Sequence, residues 1–485
     1  MHKFVKDIGL IGLTNLSLFL RAIVILPVIT KLLGAQSYGV WVQFLITLSL
    51  ITSFALLGLP ASLVRFLASV EDKKVKAQKV CSILTVVIAS ALCVGGILLF
   101  FRSQLAMVLG ISITYIALLA VTTIFECINS LLFNVFRAFH QMENYAFFST
   151  AQSFGEIFLA CSAILLGYGL LGAVASLLIA RVIMSLLLIT NLLRKIGFSM
   201  PSYKEFGAYL AFGIPTIGSN IAYWVVTSSD RYVINYFLGI TFVGYYSPAY
   251  TFGNLLVIFI MPFSLVLPPL LSRFFDSNDH QSVQRYLAYS LKYFLLIAIP
   301  AAFGLSVLSW PLLATFTTSD IANHSYLITP FIAASMICYG IFTIISQVFD
   351  LIKKTSYSTF IWTYAALVNL SLNFFFVPHF GIMGAALSTL FVYVLALFIT
   401  VFFALQRFRF SLDARSISKS ILASSIMALV LYVFAPTGLS GIIGAIVIGV
   451  GMYGALIIFL RVIDEKEKKF FREMFQNFRH AFIQP

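Results

Sequence analysis

The chain of 485 residues is 61% hydrophobic, holds 49 phenylalanines and carries only 10% charged side chains. A soluble domain needs roughly 25% charged residues to face water, so the composition excludes an ordinary water-soluble enzyme. Positive charge dominates, 31 Lys+Arg against 17 Asp+Glu, but the basic residues sit in short clusters between apolar runs, a pattern that meets anionic lipid and argues against nucleic acid as a partner.

Apolar runs of about 18 to 25 residues recur, each enough to cross a hydrocarbon layer about 30 Å thick at 1.5 Å per residue. They predict about fourteen spans, at 8–30, 40–66, 80–101, 107–135, 145–166, 170–193, 208–237, 243–271, 287–315, 325–349, 357–377, 382–405, 416–435 and 440–460. The first run ends at Lys31 with no small-residue cleavage pattern, so it reads as a span and not as a removable signal. Pro27, Pro215, Pro262, Pro300 and the pair Pro268-Pro269 are expected to bend or end helices. In the basic tail, 461–485, Phe471, Phe475, Phe478 and Phe482 recur at helical spacing beside Lys468, Lys469, Arg472 and Arg479. That pattern predicts a helix lying in the inner interface, with a partner-docking helix as the alternative.

Charge bias orients the spans. With the N-terminus inside, Lys3, Lys6, the cluster from Arg65 to Lys79, Arg137, Arg194, Lys195, Lys204, Arg273, Arg285, Lys292, Lys353, Lys354, Arg407, Arg409, Arg415, Lys419 and the tail all fall on the cytoplasmic side. Only Lys31 and Arg102 fall outside, and Arg21, Arg181 and Arg231 fall within spans. An odd number of spans would scatter this bias, so both termini are expected to be cytoplasmic at the cell membrane. The connections are too short to hold a catalytic or nucleotide-binding domain. Cys81, Cys93, Cys127, Cys161 and Cys338 make no CxxC or metal-ligand cluster and read as structural thiols. No Walker motif or zinc motif occurs. No cofactor, metal site or catalytic residue is expected.

Two segments repeat. Leu33-Gly34-Ala35-Gln36-Ser37-Tyr38-Gly39-Val40-Trp41 returns 205 positions on as Leu238-Gly239-Ile240-Thr241-Phe242-Val243-Gly244-Tyr245-Tyr246, and Thr14-Asn15 returns as Ser219-Asn220. Later the offset is 212: Tyr168-Gly169-Leu170-Leu171-Gly172-Ala173 returns as Phe380-Gly381-Ile382-Met383-Gly384-Ala385. The expected fold is therefore all-α and polytopic in a 6+6+2 arrangement. Its N-terminal lobe is 1–195, its C-terminal lobe 204–406, and its last two helices lie in 411–460. Six spans per copy make the repeats parallel, related by an axis along the membrane normal, and two such lobes around a central cavity suit alternating access.

Ionisable groups at membrane depth are costly and tend to face a protein interior or a wet cavity. Here they are Arg21, Glu126, Glu156, Arg181, Asp230 and Arg231, with Asn15, Asn129, Gln152, Asn220, Asn369 and Asn373 among their polar neighbours. Asn220, Trp224, Ser228 and Arg231 climb one side of the seventh span. Arg21, about halfway along its span, is the leading candidate to hold an anion such as phosphate, whose oxygens match its fork of donors; an Arg–carboxylate pair that locks helices is the alternative. Arg181, Arg231, Asn15, Asn220 and Trp224 complete the candidate head-group set. Glu126, Glu156 and Asp230 are candidates for charge pairing or for binding a coupling ion. Three intramembrane arginines and no intramembrane lysine favour an anionic cargo.

The runs ILPVITKLLGAQSYGVWVQF (25–44) and LLGLPASLVRFLA (56–68), with FRAFHQMENY (136–145), YGLLGAVAS (168–176), SSDRYVINYFLGITFVGYYSPAYTF (228–252), PLLSRF (269–274) and FGIMGAALST (380–389), resemble the polysaccharide transporter family. These are the Wzx-like flippases of lipid-linked oligosaccharides, such as O-antigen and exopolysaccharide units, within the multidrug/oligosaccharidyl-lipid/polysaccharide exporter superfamily. The resemblance implies that a polyprenyl- or dolichyl-(pyro)phosphate-linked sugar moves from the cytoplasmic to the outer leaflet. It further implies basic residues in the cavity, the last two helices as a lipid-tail groove as in lipid II flippases, and coupling to an H+ or Na+ gradient. Membrane lipids and a polysaccharide polymerase or other assembly protein are the implied partners. The rival readings are a cation-coupled drug exporter of the same superfamily, a membrane enzyme such as a glycan polymerase, and a non-transporting scaffold.

Overall fold

The computed structural model describes residues 2–67, 70–354, 356–408, 413–434 and 436–462, with side chains from residue 9 except at 11 and 13. Its elements are helices: α1 His2–Ala55, α2 Leu59–Leu67, α3 Lys73–Phe100, α4 Arg102–Leu109, α5 Ile113–Ala138, α6 Met142–Ala163, α7 Gly169–Ile196, α8 Phe206–Leu238 and α9 Ile240–Gly253. They continue as α10 Val257–Asp276, α11 His280–Val307, α12 Ser309–Phe316, α13 Ser319–Ser325, α14 Ile328–Leu351, α15 Ser356–Leu405, α16 Ala414–Phe434 and α17 Gly438–Phe459. Among the described residues there is no strand. Among the described residues eleven stretches are long and apolar enough to cross a membrane. The protein is an all-α polytopic membrane protein. The amphipathic pattern of the tail lies outside the described residues.

Three of the eleven stretches, Thr14–Ala55, Met142–Ile196 and Ser356–Leu405, run for 42, 55 and 50 residues, far beyond the roughly 20 that one crossing needs. Each is interrupted at glycine. Gly34 lies at φ 82, ψ 177 inside α1, Gly169 at φ 58, ψ −153 at the start of α7, and Gly381 at φ 61, ψ −146 inside α15. A side chain resists such positive φ, so glycine permits a sharp break in the apolar run. The sequence repeat is visible here as geometry. Gly239, the counterpart of Gly34, takes φ 93, ψ 167, and Gly169 and Gly381 are themselves counterparts.

The prolines behave otherwise. Pro27, Pro215, Pro262, Pro268, Pro269 and Pro300 all stand inside helices, and none ends one. A missing N–H is tolerated when the helix continues on both sides. The span expected from 107 is also divided. Gly110 closes the short α4 in a left-handed conformation, and the Ser112 side chain accepts from the Thr114 amide to start α5.

By packing, the chain divides into two compact units, Val5–Ser247 and a second from Pro248 onward. This division follows contacts and falls inside α9, whereas the repeat boundary read from the sequence lies at 195–204. In the first unit α5 packs on α2, α3 and α7, α6 on α7, and α8 on α2. Leu59, Leu63, Val80, Ile83, Leu131 and Leu188 lie in its core. In the second unit α14 and α16 pack on α11, α15 on α14, and α17 on α16.

Within the first unit α8 is tied at both ends. Near its start the Ser62 hydroxyl donates to the Tyr209 carbonyl (2.7 Å), and the Arg65 guanidinium lies 4.8 Å from the Phe212 ring centre. Near its end the Asn235 amide donates to the Leu109 carbonyl (2.7 Å), and Tyr232 shares a 2.7 Å hydrogen bond with Thr47. Just beyond, the two copies of the repeated motif meet. A Cβ on Gly39 would overlap the Ile240 carbonyl oxygen, and one on Gly244 would overlap the Ala35 carbonyl oxygen. Each contact maps onto the other under the 205-residue offset, so the backbone approach is reciprocal.

Candidate functional site

Four helices of the first unit bring together four of the charges singled out in the sequence. The Arg21 guanidinium, on α1, donates to Glu156 Oε2 on α6. Arg181, on α7, donates to Glu126 Oε2 on α5 and, at 3.1 Å, to Glu156 Oε1. The order is Arg21, Glu156, Arg181, Glu126, alternating in sign and formally neutral. Its middle is dry, since Glu156 is 0% and the Arg181 side chain 5% exposed. Its ends are not, since Arg21 and Glu126 are each 27% exposed. The Gln152 amide supports Glu156 at 2.9 Å, and the Asn129 amide donates to the Arg181 carbonyl at 3.0 Å while Ser185 donates to Asn129 at 2.7 Å.

Taking these charges from water is expensive, and only close mutual pairing repays the cost. Arg181 is therefore held firmly, with its guanidinium between two carboxylates. Arg21 is held less completely. One of its nitrogens bonds Glu156, and the rest of its fork has no partner among the described residues.

Asp230 and Arg231 form a second cluster near the end of α8. Arg231 donates to Asp230 Oδ1 (2.7 Å) and to the Thr227 carbonyl (2.6 Å), while the Tyr246 hydroxyl donates to Asp230 Oδ2 (2.6 Å). Both charged side chains are buried, and Arg231 also lies 5.2 Å from the Tyr246 ring centre. Of the remaining candidates, Asn15 is partly buried and Asn220 exposed. Trp224 packs edge-on to Tyr232, with its buried Nε1 lacking a hydrogen-bond partner. The two side-chain polar atoms of Gln43, Gln152 Oε1 and Thr52 Oγ1 are likewise buried and unpartnered. Buried polar atoms are nearly always satisfied by protein, water or ligand, which sets these atoms apart from the paired charges beside them.

The second unit holds a comparable polar spot. The Asn373 amide donates to Asn369 Oδ1 (3.0 Å), while Asn373 Oδ1 and Thr389 Oγ1 are buried without partners. An apolar groove of about 530 Å³ runs between α11, α16 and α17, lined by Leu296, Ile297, Pro300, Met427, Val450 and Tyr453 among others. Among the described residues no group of His, Cys, Asp and Glu could hold a metal ion.

One buried ion was missed in the sequence. Lys292, assigned there to the cytoplasmic side by charge bias, lies inside α11, is 5% exposed and pairs with Asp413 at 3.0 Å. Burial works to raise the Asp413 carboxyl, but the hydroxyl and amide of Ser416 and then Lys292 outweigh it and hold it at about 2. The signal was present, since Lys292 falls inside the apolar run drawn at 287–315, and the expectation that no lysine lies within a span is corrected by it.

A family model described as polysaccharide biosynthesis protein matches residues 4–275, more than half of the chain. The chain belongs to that family. A second family model, MatE, matches residues 215–375 of this family member. A probable low-salt glycan biosynthesis flippase of Haloferax volcanii, Agl15, is 25% identical over 199 residues, which cover 41% of this chain and 42% of that protein. The match thus spans less than half of that relative. Among solved structures, the lipid II flippase MurJ in an inward closed conformation aligns with TM-score 0.75 at 19% identity, covering 94% of this chain and 99% of that one. An inward-facing multidrug resistance MATE transporter aligns with TM-score 0.67 at 16% identity, covering 82% and 98%. The fold of this family member is the one those transporters share.

Proposed function

We propose that this protein is an alternating-access flippase. In this reading it carries a polyprenyl- or dolichyl-(pyro)phosphate-linked oligosaccharide from the cytoplasmic to the outer leaflet for surface polysaccharide or glycan assembly, with no bond made or broken. The observation that carries the reading is the partly exposed guanidinium of Arg21 at the open end of a charge chain whose middle is buried and whose four members sum to zero. A charged head group cannot enter hydrocarbon unaided, because shedding its water costs several kcal/mol or more. Arg21 offers that head group a fork of donors. Arg181 keeps Glu156 from claiming the whole of it. Arg231, Asn15, Asn220 and Trp224 complete the sugar and phosphate contacts, and the unpartnered Trp224 Nε1 is a donor suited to a sugar oxygen.

In the same reading the three glycine-broken stretches each cross twice, which brings eleven crossings to fourteen. The 205 and 212 offsets define lobes 1–195 and 204–406, and both termini are cytoplasmic in the cell membrane. The α11–α16–α17 groove, almost wholly apolar, holds the lipid tail while the head crosses. Glu126, Glu156 or Asp230 takes the coupling H+ or Na+. The flippase named among the relatives and the family match support this reading over others.

The MatE match over 215–375 favours one second reading, a cation-coupled multidrug exporter. Binding separates the two. Purified protein should be stabilised against heat by a lipid pyrophosphate-linked oligosaccharide, Arg21→Ala should lose that stabilisation, and cationic dyes should bind neither form. Dye binding abolished by Asp230→Asn, with no response to the glycan lipid, would favour the exporter.

A further inference from the structure

One face of α7 is unlike the rest. Its buried side carries Arg181, Met184, Ser185, Leu188 and Leu192, whereas Ile183, Leu186 and Leu187 are 48%, 61% and 50% exposed. Those three, with Thr190, Asn191 and Arg194, line a groove of about 440 Å³ walled by Phe148 of α6. The six α7 positions fall on one helical stripe and run for about 16 Å at 1.5 Å per residue, the depth of one leaflet's hydrocarbon, roughly half of 30 Å. The stripe grades from apolar at Ile183 to cationic at Arg194.

The polar end is unsatisfied. Arg194 has no ion-pair or hydrogen-bond partner among the described residues, and Asn191 Oδ1 is buried with none. Its neighbour Lys195 is already engaged, donating to Gln141 at 2.8 Å. The groove thus presents a lane for an acyl chain, a free cation at its mouth, and an acceptor that lacks a donor. A neutral hydrocarbon would leave both polar groups unmet.

We propose that this groove is a binding site for an anionic glycerophospholipid of the inner leaflet whose head group bears a hydroxyl. One chain lies along Ile183–Leu187 against Phe148, the phosphate meets Arg194, and the hydroxyl donates to Asn191 Oδ1. The placement in the inner leaflet rests on the charge bias that puts the basic helix ends inside. Because the other face of α7 carries Arg181, the bound lipid braces the helix that orders the buried charge chain.

Native mass spectrometry of the full chain tests this, with phosphatidylglycerol and phosphatidylcholine titrated in parallel. The wild-type protein should retain phosphatidylglycerol in preference to phosphatidylcholine. Arg194→Ala should weaken that retention about fivefold, the worth of one basic residue at an anionic surface. Leu187→Trp, which fills the lane and keeps the charge, should weaken it as well, with the melting temperature of lipid-free protein unchanged in both. Equal retention of the two lipids, or retention untouched by both variants, would overturn the proposal. So would a wild-type dimer that the same variants dissolve, since a second copy of the chain would then be the occupant.

Discussion

Glu156 is the pivot at the scale of single residues. It is fully buried and accepts from Arg21, Arg181 and Gln152, so removing it takes away the carboxylate that Arg21 bonds and leaves the buried Arg181 with Glu126 alone. Breaking a buried pair by deleting one partner costs about 3–5 kcal/mol. Glu156→Ala should therefore lower the melting temperature of detergent-purified protein sharply, and Arg181→Ala should do much the same. Arg21→Ala should leave it nearly unchanged, because Glu156 keeps Arg181 and Gln152 and the lost side chain is already part-exposed. A melt that treats all three variants alike would mean that Arg21 serves only as a strut. The sequence made these charges legible as candidates, because an ionisable residue in an apolar run stands out. Their pairing was not legible, since Arg21 and Glu156 are 135 positions apart. Tyr246 was read as part of the repeat and of the run 228–252, and nothing local marks it as the partner of Asp230.

At the scale of elements, helix ends were the least legible feature. The prolines were expected to bend or end helices and end none, while the glycine breaks in α1 and α15 fall in the gaps 31–39 and 378–381 between expected spans. The repeated glycines carry a second role, as the reciprocal contact of Gly39 and Gly244 leaves no room for a side chain. Gly39→Ala and Gly244→Ala should each destabilise by about 1–3 kcal/mol through overpacking. The double variant should cost less than the sum, because either methyl already forces the same two backbones apart; additive costs would show the two contacts to be independent. Lys292 and Asp413 join α11 to the start of α16. The Asp413 carboxyl sits at about 2 in the folded protein, against about 3.9 when unfolded. Its contribution is therefore complete above about pH 4 and is lost as pH falls through 2. Asp413→Asn should lower the melting temperature at pH 7, and the gap to the wild type should narrow as pH drops from 4 towards 2. A constant gap would mean that Asp413 matters for packing and not for charge.

For the whole molecule, the fold class followed from composition and run length, and the glycines of the two repeated motifs take matched backbone angles. Lipid contact fixes apolar length and helical content whatever the sequence, and so a fold can align over 94% of this chain at only 19% identity. What that constraint leaves free is the charge pattern of the interior, and there the account stands or falls. The most direct measurement reconstitutes the purified protein in liposomes with a polyprenyl-pyrophosphate-linked glycan in one leaflet and follows its appearance in the other. Wild-type protein should transfer the glycan well above protein-free liposomes, with or without an imposed ion gradient setting the rate, and Arg21→Ala should slow transfer at least about tenfold, the loss of roughly 1.4 kcal/mol. Transfer by Arg21→Ala at the wild-type rate, or wild-type transfer no faster than in empty liposomes, would contradict it.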